Sequence, residues 1–304
     1  MQPDLLQQLS AQLATLSADA AQHVVRVDGR RHASSSGVVW SADGVVVTAH
    51  HTLERDEDVS VALPSGDSAP AVVLGRDPTT DVALLRVATP GLSPATWADE
   101  AGVAVGQLVV GVSRPGRTAR VALGVVARAA GEFRAHRGGK VDRYVETSLL
   151  LHPGVSGSLV AGADGVAIGV ATAGLVRGAA MVLPPTTLRR VVKSILAHGE
   201  VRRGYLGLAT LPVPLPAPVR EATGEHVGLL VTRIDPDSPA ARAGIQLGDA
   251  LLSFGDETLQ DPGELLTLLA EDRIGDTVKM KLLRAGEARD VQVTIGSRGA
   301  GRRT

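Results

Sequence analysis

The 304-residue chain contains no cysteine, which excludes a thiol nucleophile, a Cys-ligated zinc and every disulfide. Its fold therefore rests on burial alone. A thiol-free chain suits reducing and oxidising surroundings equally, so this absence leaves the compartment open. Aromatic residues are nearly as scarce, at 2%, with two each of Trp, Tyr and Phe. A core must then be built from Val, Leu, Ile and Ala, and the 35 glycines fit tight turns between short apolar runs. Charge excess is missing too, since 31 basic residues stand against 32 acidic ones for a net charge of -1. Nothing in that balance attracts nucleic acid or an anionic membrane. No stretch approaches the ~18 consecutive apolar residues of a membrane span. The first residues, Met1 to Ala20, lack the basic and apolar regions of a secretory signal. The expectation is a cytoplasmic protein by default, or a periplasmic one if a leader precedes the chain. None of the eight histidines falls in an HExxH-like spacing, so no metal site is expected, and the expectation for cofactors is none.

What is present divides the chain. Leu6, Leu9, Leu13, Leu16 and Ala20 share one face of a helix by their 3-4-3-4 spacing. This helix either lies against the following domain or forms a self-association seam, and about two heptads are too few to decide. From His23 to Val192 the pattern becomes short apolar runs separated by turns such as Ala42-Asp43-Gly44 and Pro64-Ser65-Gly66. That spacing predicts a mainly β fold, a sandwich or barrel. A helix follows over Pro185 to Ala197, with Gly199 as its stop. The segment Leu211 to Pro218, with four prolines, reads as loop. Beyond it come strand-like runs and two helix candidates. One, Pro239 to Ala243, is started by Ser238, and the other, Pro262 to about Glu271, is capped by Asp261 with Glu264 placed for a capping box. The expected organisation is a helix over 1–22, a first domain over 23–198, a linker over 199–204, a second domain over 205–297 and a tail over 298–304.

The sharpest chemical feature is His152-Pro153-Gly154-Val155-Ser156-Gly157-Ser158, a Gly-flanked turn that presents a serine. In such a turn the Gly154 and Ser156 N–H groups can converge to hold an oxyanion. Alone it could be an ordinary loop. However, the apolar strand Val45 to Ala49 runs into His50-His51, and Asp81 heads the apolar run Val82 to Leu85. A serine hydroxyl needs an imidazole to take its proton, and the imidazole needs a carboxylate to fix its tautomer. The chain order His, Asp, Ser is that of chymotrypsin-like double barrels. His50, one residue along a strand from His51, should face the opposite way, though it remains an alternative base. Asp77, before Pro78, reads as a turn former.

These motifs resemble the HtrA/Deg family of chymotrypsin-like serine proteases that carry PDZ domains. The family's Gly-Ser-Gly-Val opening strand resembles Ser35-Ser36-Gly37-Val38, and its Thr-Asn-Xaa-His resembles Thr48-Ala49-His50-His51. Its Asp-Pro-Xaa-Thr-Asp-Leu-Ala resembles Asp77 to Ala83, and its Asn-Pro-Gly-Asn-Ser-Gly-Gly-Pro-Leu-Val turn resembles His152 to Ala161. Departures are Ala49, Val155, Ser158 and Leu159 where the family has Asn, Asn or Asp, Gly and Pro. The resemblance implies a chymotrypsin-like double β-barrel protease domain followed by a mixed α/β PDZ domain. It implies His51, Asp81 and Ser156 as the catalytic residues, with Gly154 and Ser156 as the oxyanion hole. It also implies a pocket lined by Ile168 to Leu175, whose small and aliphatic side chains fit cleavage after Val, Ala or Leu. Tyr205-Leu206-Gly207-Leu208 resembles the carboxylate-binding loop of PDZ modules, and Asp237 to Asp249 resembles their Gly-Ser-Pro-Ala segment. The expected activity is endoproteolysis of unfolded or damaged proteins, with peptide C-termini bound at the PDZ domain. A proteolytically inactive chaperone or peptide-binding scaffold and an esterase are the competing readings. A homo-oligomer is possible, but the aromatic contacts implied for the family's trimers are missing before Trp40.

Overall fold

The computed structural model describes residues 4–31, 33–89, 92–99, 103–135, 138–269 and 273–298. It divides into two compact units, Met1–Glu200 and Val201–Thr304. The first begins with helix α1 (Leu5–Ala21). Only Ala20 and Ala21 at its end are buried, whereas Leu5 and Leu6 are 75% and 71% exposed. The apolar face predicted from the spacing is therefore covered progressively, with Leu13 and Leu16 half-buried and only Ala20 of that face fully so.

Six strands then close a barrel in the order β1-β2-β3-β6-β5-β4. They are β1 (Val24–Asp28), β2 (Ser35–Val39), β3 (Val45–Ala49), β4 (Val59–Ala62), β5 (Ser68–Asp77) and β6 (Val82–Val87). β2 and β3 are buried along their whole length, which is why β3 reads as a nearly continuous apolar run rather than an alternating one, while β2 opens with the buried polar pair Ser35 and Ser36. Val27, Val39, Val46, Val61 and Leu85 fill this core, each contributing about 1.5–3 kcal/mol by its removal from water. Next come β7 (Leu108–Ser113) and β8 (Arg120–Ala130), then a separate hairpin of β9 (Phe133–Arg134) and β10 (Lys140–Val141). With β11 (Tyr144–Thr147), β12 (Leu159–Gly162), β13 (Ala167–Thr172) and β14 (Ala180–Leu183), a second barrel closes in the order β11-β14-β13-β12-β7-β8. Helix α2 (Pro185–His198) ends at Gly199, whose φ of 76° and N–H bond to the Ile195 carbonyl at 2.7 Å make the expected stop. Closed barrels leave no open sheet edge.

The second unit is mixed α/β. Its strands are β15 (Arg203–Tyr205), β16 (Leu208–Pro214), β17 (Val227–Ile234), β18 (Ala250–Phe254), β19 (Glu257–Thr258), β20 (Thr277–Arg284), β21 (Glu287–Thr294) and β22 (Gly296–Arg298). Helices α3 (Ala217–Thr223), α4 (Pro239–Arg242) and α5 (Pro262–Leu268) are interleaved with them. The main sheet runs β16-β17-β18-β20-β21, with β19 beside β18, and β15 pairs with β22. Leu229, Leu251, Phe254, Met280 and Leu282 form the core, and Phe254 is the one buried aromatic among the described residues. Ser238 caps α4 through the Ala241 N–H, and Asp261 with Glu264 forms the capping box of α5. The far end of that predicted helix, at Glu271, lies outside the described residues. Asp249, buried ahead of β18, accepts Arg284 Nε and Nη2 at 2.8 and 2.7 Å. Burial alone would push its carboxyl up, but the Arg284 bonds and the Gln246 N–H outweigh that and hold it below the usual carboxylate range.

Several sequence expectations change here. The proline-rich stretch read as loop is strand β16 followed by helix α3. β16 is an edge strand, where a proline whose missing N–H faces away from the ladder is tolerated. Arg203 and Gly204, read as linker, already belong to β15, and Arg298, read as tail, ends β22. The rest of the expected tail lies outside the described residues. β3 stops at Ala49, and His50–Thr52 is a 3-10 turn, so the strand alternation invoked for His50 does not apply.

Candidate active site

The register of β3 against β6 places Ala49 opposite Val82. The residues just after β3 and just before β6 are thereby neighbours. In the 3-10 turn the His50 N–H donates to the Asp81 carbonyl at 3.0 Å, and the His51 N–H donates to Asp81 Oδ1 at 2.9 Å. His51 Nδ1 lies 2.7 Å from Asp81 Oδ2. A carboxylate can only accept, so this contact places a ring proton on Nδ1, and in the neutral tautomer Nε2 is the acceptor. The two side chains differ in access, at 36% exposed for His51 and 4% for Asp81. Asp81 itself sits at φ 60°, a left-handed conformation that costs a non-glycine residue about 1–2 kcal/mol. Asp77 is buried and accepts the Thr79 N–H and the Thr79 and Thr80 hydroxyls, which makes it a turn former.

Ser156 is set by the second barrel. The β12–β13 ladder continues past its paired residues, with the Ala171 N–H on the Ser158 carbonyl and the Gly157 N–H on the Ala171 carbonyl, both at 2.9 Å. That draws the loop bearing Ser156 alongside the segment after β13. Ser156 Oγ accepts the Ala173 N–H at 3.2 Å. Thr172 Oγ1 donates to Asp81 Oδ2. Gly174 packs so closely that a Cβ there would lie 2.5 Å from Asp81 Oδ2 and 2.6 Å from His51 Nδ1. Thr172, Ala173 and Gly174 thus touch all three candidate residues. Sequence reasoning placed them only in a pocket wall, since three small residues carry no motif of their own. Among the described residues no hydrogen bond joins Ser156 Oγ to His51, a contact that often tightens only when substrate binds.

The loop before Ser156 has a defined shape. The Val155 N–H donates to the His152 carbonyl at 3.0 Å and Gly154 has φ 88°. Proline at the second position and positive φ at the third make it a type II turn. Val155, apolar where the resemblance has a polar residue, is buried. Gly157 is required by space as well as by its φ of 84°, because a Cβ would sit 1.9 Å from the Ser36 carbonyl.

In the second unit, Tyr205, Leu206, Gly207 and Leu208 connect β15 to the edge strand β16. Gly207 has φ 77°, and a Cβ there would come within 2.2 Å of Ser238 Cβ. The Leu206 carbonyl accepts the Ala240 N–H at 2.9 Å and the Gly207 carbonyl accepts the Asp235 N–H at 2.7 Å. The Tyr205 hydroxyl donates to Asp235 Oδ2 at 2.6 Å. With both carbonyls engaged, the Leu206 and Gly207 N–H groups have no backbone acceptor among the described residues. Successive free N–H groups beside an open strand edge make an anion-binding concavity. No helix among the described residues is long and apolar enough to cross a membrane, and no cluster of metal-ligating side chains occurs among them.

Comparison with known proteins agrees with both units. Residues 35–170 match the model of a trypsin-like peptidase domain, and residues 204–295 match the PDZ domain. A probable periplasmic serine endoprotease, DegP-like, from Brucella suis biovar 1 is 31% identical over 273 residues, covering 87% of this chain and 53% of the relative. A protein of the same description from Halomonas elongata is 31% identical over 88% of this chain and 57% of its own length. The chain thus spans little more than half the length of these relatives. Among solved structures, the HtrA-type protease AlgW with a decapeptide superposes with a TM-score of 0.74 at 25% identity, covering 94% of this chain and 98% of that one. The serine endoprotease from Yersinia pestis gives a TM-score of 0.74 at 25% identity over 98% and 100% of the two chains. The chain thus carries a trypsin-like peptidase domain in a double barrel followed by a PDZ domain, and it is similar over nearly its whole length to HtrA-type proteases.

Proposed function

We propose that the chain is a serine endopeptidase acting on unfolded or damaged polypeptides, with peptide C-termini recognised by its PDZ domain. His51 Nε2 takes the proton of Ser156 Oγ as the hydroxyl attacks the scissile carbonyl, and it returns that proton to the leaving amine. Asp81 keeps the proton of neutral His51 on Nδ1 and stabilises the imidazolium formed during attack. The Gly154 and Ser156 N–H groups receive the developing oxyanion, and removing one such donor typically costs about 2.7–4 kcal/mol of transition-state stabilisation. Water then hydrolyses the acyl-enzyme. The observation that carries this reading is the His51–Asp81 contact at 2.7 Å, tied through Thr172 to Ala173 onto Ser156. The wall from Ile168 to Leu175 holds no acid, which suits small or aliphatic residues before the scissile bond. At the second unit, a bound peptide adds a strand to the edge of β16 while Leu206 and Gly207 hold its carboxylate. The relatives' names favour the periplasm over the cytoplasm expected by default. Self-association through α1 is the assembly we favour, given the exposure of Leu5 and Leu6.

A peptide-binding scaffold without proteolysis is the second reading, favoured by the Ala173 N–H on Ser156 Oγ in place of a bond from that serine to His51. Cleavage of unfolded casein separates the two. The wild-type chain is expected to fragment casein and Ser156→Ala to leave it intact, whereas equal residual cleavage by both would remove the protease assignment.

A further inference from the structure

Val155 precedes the nucleophile with a side chain that can make no hydrogen bond, so the loop must be braced from elsewhere. The brace is Ser36 on β2, which has no solvent exposure. Its Oγ accepts the Arg114 N–H at 2.8 Å and donates to the Gly154 carbonyl at 2.8 Å. The direction is fixed, because an amide N–H can only donate and a carbonyl can only accept. The Ser36 N–H approaches the Ser156 carbonyl at 3.4 Å. The Ser36 carbonyl accepts Thr48 Oγ1 at 2.7 Å and fills the space where a side chain at Gly157 would go. One residue of the first barrel therefore meets the second barrel's loop before, at and after the nucleophile.

Arg114, just beyond β7, is 6% exposed. Its Nε donates to the Val24 carbonyl at 2.7 Å, Nη2 to the Ala21 carbonyl at 2.8 Å and Nη1 to the Arg117 carbonyl at 3.3 Å. Among the described residues no carboxylate lies within ion-pair distance of it. Desolvation of this cation is offset by backbone carbonyls alone, one of them at the C-terminal residue of α1, where the helix dipole favours positive charge. A continuous path results, from the Ala21 carbonyl through the Arg114 guanidinium and peptide N–H to Ser36 Oγ and the Gly154 carbonyl. The inner end of α1 is buried while its outer half stands exposed.

We propose that Ser36 is a positioning residue for the oxyanion loop and that Arg114 transmits the seating of α1 to it, so that turnover depends on how the amino-terminal helix is docked. The proposal rests on the protease reading. Ser36 touches no reacting atom, and its loss should be felt in the transition state more than in substrate binding.

The test is a double-mutant cycle on the full chain with Ser36→Ala, Arg114→Met and both together, beside wild type and Ser156→Ala. Each protein is titrated with a fluorophosphonate, so that kcat is expressed per competent site and an unfolded fraction lowers the titre instead. Ser36→Ala is expected to lower kcat and the phosphonylation rate about 10-fold, the scale of one net hydrogen bond, with KM changed less than about 2-fold. Arg114→Met should lower kcat about 3- to 10-fold alone and add less than about 2-fold in the Ser36→Ala background, because it acts through the same path. Unchanged kcat per site in Ser36→Ala, or effects that multiply in the double variant, would overturn the proposal while leaving the protease assignment standing. A wild type that neither cleaves nor is phosphonylated would overturn both.

Discussion

In the first barrel the proposed acid and base, Asp81 and His51, arrive already joined. Asp81 accepts the His51 N–H, His51 Nδ1 and the Thr172 hydroxyl, and its own carbonyl accepts the His50 N–H. Those bonds hold Asp81 at a φ of 60°, a strain that persists only where the surroundings over-determine it. In the second barrel, Ser156 sits on a turn whose preceding residue is apolar, and its hydroxyl is met by a single backbone N–H. The half of the site proposed to handle the proton is fixed by redundant bonds on Asp81. The half around Ser156 is fixed by ladder geometry, by the space around Gly157 and by the hydroxyl of Ser36 on the first barrel. The difference locates where such a site could be modulated: the bonds on Asp81 converge on one carboxylate, whereas the shape of the Ser156 loop depends on contacts from outside the proposed catalytic residues, Ser36 Oγ to the Gly154 carbonyl among them.

Substitutions should sort along that line. The largest effect is expected from Asp81→Asn, which keeps the shape but lets the amide donate to Nδ1 and so puts the ring proton on Nε2. Steady-state kinetics on an unstructured peptide should show kcat down about 10⁴-fold with KM little changed. Gly174→Ala comes next. Its Cβ would press on Asp81 Oδ2 and His51 Nδ1, and a displacement approaching 1 Å at the reacting groups costs about 10²-fold in kcat. Circular dichroism should show the fold retained, and a variant with full activity would mean that the pair is less tightly held than its bonds suggest. Thr172→Val should have the smallest effect, a fall in kcat of about 10-fold from one lost donor, because the two bonds from His51 still hold Asp81. If Thr172→Val proves as damaging as Asp81→Asn, the redundancy attributed to the first barrel is wrong.

Much of this site can be read in the sequence, for reasons that differ by residue. His51 and Asp81 can be nominated because each lies where an apolar strand ends or begins, and the strand register then makes those ends neighbours. Ser156 stands out because glycines flank it on a turn between strands. Thr172, Ala173 and Gly174 carry no such mark, since a small residue reveals its role only when its neighbours are in place. The same holds for Ser36, whose meaning lies in the Gly154 carbonyl far along the chain. The prolines of β16 misled in the opposite direction, as they break most strands but are accepted on an open edge. The helix over Leu5–Ala21 was legible from its spacing, but not how little of its apolar face is covered.

The central claim is that Ser156, activated by His51, is the nucleophile. Peptide mapping by mass spectrometry after fluorophosphonate labelling of the intact chain tests it most directly. One phosphonyl adduct on Ser156 is predicted, with labelling slowed by orders of magnitude in His51→Ala and lost in Ser156→Ala. A wild-type chain that fragments casein while its adduct forms elsewhere, or that labels equally without His51, would contradict it.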